Sequence, residues 1–213
     1  MEIKYLGHSS FQIKTKTACV VTDPFDPKMV GLKFPKTEAD IVTISHHHHD
    51  HDMVNQIEGS PLILDWPGQF EKMGVRIWGF QTYHDKKKGE ERGKNIMYKF
   101  ECEQISILHC GDLGTIPEDS MLDEIGETDI LLVPVGGTYT LDAAEAAELV
   151  KKVEPSIIIP MHYGFPEGLM KELLPLSEFL KKIGTEAIVP LDKFVVKKED
   201  LLDLEMKVVV LSS

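Results

Sequence analysis

A chain of 213 residues, 42% hydrophobic and 27% charged, has ordinary globular composition and the length for one domain, 1–213, with a substantial core. Its formal charge of −12 disfavours a general nucleic-acid surface, because phosphate contacts need Lys and Arg, yet leaves room for a small anion at a bound cation. No run of about 18 apolar residues exists, so no membrane span is expected.

The opening residues Met1-Glu2-Ile3-Lys4-Tyr5 read as strand and lack the apolar core of a signal peptide. Strands are expected at 2–6, 10–14 and 18–22, with Gly7-His8-Ser9 as the turn between the first two. Residues 24–39 are rich in Pro and Lys and read as loop. A strand at 40–44 follows, then a short helix near Asp52. Further strands are expected at 61–65, 74–80, 95–101 and 104–109. Beyond them strands and helices alternate: helix 117–125, strand 129–133, helix 141–153, strand 156–160, and a helix over 169–183 bent at Pro175. Strands at 186–189, 194–196 and 207–211 close the chain. Meandering strands followed by strand–helix alternation indicate an α/β sandwich. Cys19, Cys102 and Cys110 are odd in number and lack C-x-x-C spacing, so a disulfide framework is not expected and a reducing cytoplasm is the simplest setting. Cys110 reads as a small buried residue, although it adjoins a candidate ligand.

The strand at 40–44 opens into His46-His47-His48-His49-Asp50-His51, which holds five of the nine histidines. Imidazole and carboxylate are ligands for zinc, manganese and iron. In an extended segment His46, His48 and Asp50 project to one side, while His51 points elsewhere. One loop can thus offer His46 with His48 to one metal, and Asp50 with His51 to its neighbour. Only this register fits H-x-H-x-D-H, which leaves His47 and His49 as spacers. An affinity tag would sit at a terminus and lack the interleaved Asp.

Four more metal-binding candidates stand at or just past the ends of apolar strands. They are His84, His109, Asp112 and His162. Strand ends at one edge of a sheet can converge on one cleft.

With these residues in order, the chain resembles the metallo-β-lactamase superfamily, and within it the branch that contains the ascorbate phosphate lactonase. The matching stretches are Gly7-His8-Ser9-Ser10-Phe11, Thr22-Asp23-Pro24, H-x-H-x-D-H, Pro67-Gly68, His84, Gly111-Asp112-Leu113-Gly114 and Met161-His162-Tyr163. The resemblance implies a four-layer αββα sandwich with metals at one edge between the sheets. It implies that His46, His48 and His84 hold a first metal, that Asp50, His51 and His162 hold a second, and that Asp112 bridges them. Asp23 would orient the His loop without touching metal. His109 takes a place where the family varies. The Gly-His-Thr-x-Gly-His stretch of other branches is absent, so His84 rather than His109 rests on the closer branch. The nucleic-acid-gripping insertion of the related nucleases and the His-x-Glu-x-Asp pattern of the flavin–iron relatives are absent too.

Two divalent ions, zinc foremost with manganese or iron as alternatives, can share a hydroxide and clamp a substrate oxygen. Asp50 would orient that water or carry its proton. The expected activity is hydrolysis of a small ester or lactone, anionic or neutral. A phosphodiesterase or nuclease, or a non-catalytic metal-binding module, are the alternatives. The Lys-rich loop from Asp85 to Asn95 reads either as a mobile lid that attracts anions or as a solvated hairpin. His8 reads as a substrate or proton-transfer contact, or as a turn residue. Homo-oligomerisation stays open.

Overall fold

The computed structural model describes every residue except Glu167, Glu186 and Asp203. In chain order its elements are β1 (Glu2–Gly7), β2 (Ser10–Lys14), β3 (Cys19–Thr22), α1 (Pro27–Val30), β4 (Thr37–Glu38), β5 (Ile41–Thr43), β6 (Ile57–Glu58), β7 (Leu62–Leu64), β8 (Gly68–Lys72), β9 (Val75–Tyr83), β10 (Lys94–Cys102) and β11 (Ile105–His109). There follow α2 (Asp119–Ile125), β12 (Ile130–Pro134), α3 (Ala143–Val153), β13 (Ile157–Met161), α4 (Leu176–Lys182), β14 (Phe194–Val195) and β15 (Lys207–Val208).

The strands build two mixed sheets and a small two-stranded pair. One sheet has the order β14-β1-β2-β3-β5-β7, the other β15-β13-β12-β11-β10-β9-β8. Alternating side chains explain the layering. Val20 and Ile41 join Ile3, Phe11 and Ile13 against Ile77, Tyr98, Phe100 and Ile107 of the second sheet, forming the main core. Their neighbours Val21 and Val42 point the other way, into a second cluster with Phe25, Val30 and Phe34. Each such fully buried side chain is worth roughly 1.5–3 kcal/mol over leaving it in water. On the far side of the second sheet α3 packs on β12 and against α4. This is an α/β sandwich, with the expected αββα order thin on the α1 side.

The topology also fixes where the strands end. β1 and β3 each run antiparallel to β2, and β3 runs parallel to β5. The C-terminal ends of β1, β3 and β5 therefore share one edge. In the other sheet β9 and β11 both oppose β10, and β11, β12 and β13 are parallel. His8, Asp23, His46, His84, Asp112 and His162 all lie just past these ends.

Several expectations need correction. The helix expected over 169–183 is only Leu176–Lys182, with Pro175 at its N-cap. A proline there lacks an N–H and disfavours helical backbone in the residue before it, so the helix starts rather than bends at this point. The loop at 24–39 contains the single turn α1, capped by Asp26, and the two-residue β4. The helix near Asp52 is a 3-10 turn at Val54–Gln56. β8 was not expected; it pairs with β9 across the Met73-Gly74 turn. Residues 187–189 are not strand, and Glu186 lies outside the described residues. Cys19, Cys102 and Cys110 are free thiols, and burial raises Cys110 well above its ordinary range, as an apolar residue. No helix among the described residues is long and apolar enough to cross a membrane.

Candidate metal centre

The run after β5 divides as its register demands. His46, Asp50 and His51 are buried and His48 half-buried, whereas His47 and His49 are exposed. His46, His48 and His84 bring one nitrogen each to within 4.8 Å of one another. Asp50, His51 and His162 form a second group of the same kind, and His8 joins it.

Asp112 stands between the groups. Its Oδ2 lies 3.1 Å from Nε2 of His162, 3.2 Å from that of His51, 3.4 Å from that of His84 and 4.0 Å from that of His46. Four imidazoles thus face one carboxylate oxygen, and their lone pairs are not used up by it. Nε2 of His46, His51 and His162, Nδ1 of His84 and Oδ1 of Asp50 are buried with no aligned hydrogen-bond partner. Buried polar atoms left this way are costly, of order 1–3 kcal/mol each, unless something else engages them. A divalent cation suits donors of this chemistry, so the residues fit a metal.

Neighbouring side chains set which nitrogen is free. Asp23 is fully buried, and its carboxylate accepts from Ser45 N at 2.7 Å, Ser45 Oγ at 2.6 Å and His51 Nδ1 at 2.9 Å. Because Ser45 Oγ donates to Asp23, it accepts from His46 Nδ1, 2.9 Å away. Both imidazoles then carry their proton on Nδ1 and present Nε2 to the cleft. Asp23 belongs to neither group and holds His51 from behind, through the nitrogen turned away from the cleft. Ser45 was missed by sequence reading; its only signal was a hydroxyl directly before the His run.

The Asp112 turn is held by another residue that sequence reading missed. Asn95 donates to Thr82 Oγ1 at 2.8 Å and Cys110 O at 2.9 Å, and accepts from Asp112 N at 2.9 Å. Gly111 makes the approach feasible: its φ is +56°, and a Cβ would collide with Ser45 and Asn95.

His109 lies outside both groups. It is fully buried, and its Nε2 donates to Ser9 O at 2.8 Å. His84, rather than His109, faces His46 and His48. His8 exceeds its turn-residue reading. Its Nε2 is 3.3 Å from Asp50 Oδ2, and its ring centroid is 4.3 Å from that of His162. His8, Asp23 and His162 all hold left-handed backbone, at φ 55°, 39° and 52°. Such strain concentrates where a fold must aim side chains.

Among the protein groups alone, charges at the centre are tightly coupled. Burial opposes an ionised Asp112, but His162 and His51 outweigh it and hold its carboxyl well below the usual range. Burial likewise opposes a charged His51, yet Asp112, Asp50 and Asp23 lift it well above the ordinary imidazole value. Burial dominates at His46 and His84, which are lowered, and at His8, lowered to about 4.

The loop after His84 is closely hydrogen-bonded within itself. The Asp85 carboxylate accepts from four backbone amides, Lys87 N at 2.7 Å, Gly89 N at 2.9 Å, Glu91 N at 3.1 Å and Arg92 N at 2.8 Å. Lys86 pairs with Glu145 of α3, and Lys87 with Glu91. Those two lysines are thus paired with acids at the surface.

Residues 2–162 match the family described as beta-lactamase superfamily domain. The chain belongs to the metallo-β-lactamase superfamily of metal-dependent hydrolases. A Thermotoga maritima crystal structure, of a candidate zinc-dependent hydrolase of this superfamily, is 37% identical with a TM-score of 0.80, covering 99% of this chain and 97% of that one. A UPF0173 metal-dependent hydrolase from Thermococcus onnurineus is 27% identical over 96% of this chain and 100% of its own length. Another from Methanopyrus kandleri is 29% identical over 78% of this chain and 86% of its own. At the fold level alone, an Ignicoccus hospitalis metallo hydrolase superposes with a TM-score of 0.67 at 21% identity, over 92% of this chain and 99% of that one.

Proposed function

We propose that this hydrolase opens a small ester or lactone at a two-metal centre, as its likeness to the ascorbate phosphate lactonase branch suggests. The observation that carries the reading is the position of Asp112 Oδ2 between two ligand groups, which adjoin at His46 and His51. His46, His48 and His84 would hold one ion, and Asp50, His51 and His162 the other, with Asp112 shared. Bound there, divalent ions, zinc foremost, would acidify water to near neutral pKa and polarise the carbonyl oxygen.

The chain's own groups supply the rest. Asp50 offers a buried, unpartnered Oδ1 to take the proton of the attacking water. His8 holds the other oxygen of that carboxylate. Asp23 and Ser45 keep the two imidazoles in the tautomer that faces the cleft. The net charge of −12 disfavours a long polynucleotide as substrate.

Elemental analysis of untagged protein after metal loading should find about two ions per chain; one or none would sink the two-metal reading. Zinc- and manganese-loaded protein should then hydrolyse members of a lactone and ester panel in preference to phosphodiesters and β-lactams. Turnover confined to phosphodiesters would reassign the substrate class.

A further inference from the structure

Beside the His46–His48–His84 group lies a cavity of about 450 Å³, lined among others by Asp65, Trp66, Arg92, Lys94 and Ile96, with Asp65 turned to His47 at 3.4 Å. A larger hollow, of about 990 Å³, contains Met1, Lys14, Glu103 and Glu199 and none of the ligand candidates. Only the smaller one touches the chemistry.

Arg92 is one of two arginines in the chain. The other, Arg76, is paired with Glu101 at 2.7 Å. Arg92 has no carboxylate within 4.0 Å among the described residues, although the molecule is strongly acidic. Its guanidinium carbon instead lies 4.0 Å from the Tyr139 ring centroid. Stacking uses the face of the guanidinium and leaves its in-plane N–H edge free to donate. The ring and the backbone that carries the guanidinium are both anchored. Tyr139 OH donates to Glu172 Oε1 at 2.8 Å, and the Arg92 backbone is tied to Asp85. A cation stacked on an anchored ring, with no carboxylate within 4.0 Å among the described residues and in the same cavity as two metal-ligand candidates, suits an anion. Trp66, 50% exposed, offers an aromatic surface in the same cavity.

We infer that this cavity is a substrate subsite for an anionic substituent on an aromatic or apolar frame, with Arg92 as its main contact and Trp66 packing the frame. The inference rests on the hydrolytic reading of the neighbouring centre and narrows its substrate class to carboxylate- or phosphate-bearing esters and lactones. Lys94 adds charge at the same wall.

Trp78→Phe leaves Trp66 as the only tryptophan and makes it the reporter. Zinc-loaded protein in this background is titrated with benzoate and with neutral benzamide, following Trp66 emission. Benzoate should change the emission saturably, and benzamide should bind at least about tenfold more weakly. Arg92→Gln should weaken benzoate about tenfold and leave benzamide unchanged, with Arg92→Lys between. Hydrolysis of 4-acetoxybenzoate and phenyl acetate is measured alongside. Arg92→Gln should abolish the preference for the charged ester by raising its KM, while kcat on phenyl acetate is kept. Absence of saturable benzoate binding, or binding indifferent to Arg92→Gln, overturns the subsite; the latter would mean that the metal alone takes the carboxylate. Arg92-dependent benzoate binding without turnover of either ester would support the subsite and sink the hydrolytic reading.

Discussion

His84 follows one strand of the second sheet and His109 ends another; both are buried, and they differ in what their nitrogens meet. His109 spends Nε2 on a backbone carbonyl, Ser9 O, 100 residues away. His84 turns toward His46 and His48, and Gly114 makes room for it, since a Cβ there would collide with the His84 backbone. A series of metal-content measurements separates the roles. His84→Ala should lose metal, and His109→Ala should largely keep it; the opposite pattern would move the first site to His109. In the same series Asp23→Ala should bind metal roughly 10–100-fold more weakly, because it removes no ligand but frees the His51 and His46 rings to turn.

Among the elements, the Asp85–Gly93 loop and α3 support each other. Asp142 caps α3 by accepting from Ala144 N and Glu145 N, and Glu145 reaches back to Asp142 N. Such a box is worth about 1 kcal/mol. The same Glu145 pairs with Lys86 and so ties the loop to the helix. The loop's inner order depends on the ionised Asp85. Burial opposes that charge, but the amides of Arg92, Gly89, Lys87 and Glu91 outweigh it and lower its carboxyl to about 2. A lowered carboxyl stabilises fully above its ordinary range, and that contribution is lost as pH falls through the lowered value. Exchange protection of these four amides should therefore hold from pH 7 to pH 5 and fail only toward about pH 2. Asp85→Ala should lack it at pH 7 and expose the Lys86–Arg92 segment to trypsin. Equal protection in both proteins would remove Asp85 as the organiser.

At the scale of the whole molecule, the metal centre joins the two sheets. His46 and His51 follow β5 of one sheet, while His84, Asp112 and His162 follow strands of the other. An ion bound only by the folded chain at about 100 times its Kd adds roughly 2.7 kcal/mol. For a protein of this size each kcal/mol moves the melting point by about 2–4 °C. Chelation should therefore lower Tm by about 5–10 °C for each site emptied, and re-addition of zinc should restore it. An unchanged Tm would show that the cluster holds no ion that matters to folding.

The local pattern of the chain determined which residues of the His run turn inward. H-x-H-x-D-H specifies which histidines turn inward because alternation along an extended segment is a property of neighbouring residues, and His47 and His49 are indeed exposed. The strands that carry the ligands were legible for the same reason, as short apolar runs ending in polar residues. Contacts across the sheets were not. Asp23 reaches His51 over 28 residues, His8 reaches Asp50 over 42, and His109 reaches Ser9 over 100. Sheet order and register set these meetings, and no periodicity within the chain encodes them. Ser45 and Asn95, as supports of the centre, became visible only through their partners. Arg92 was one cation in a Lys-rich loop until the fold placed it on Tyr139 and in the same cavity as His46 and His48, with no carboxylate within 4.0 Å among the described residues.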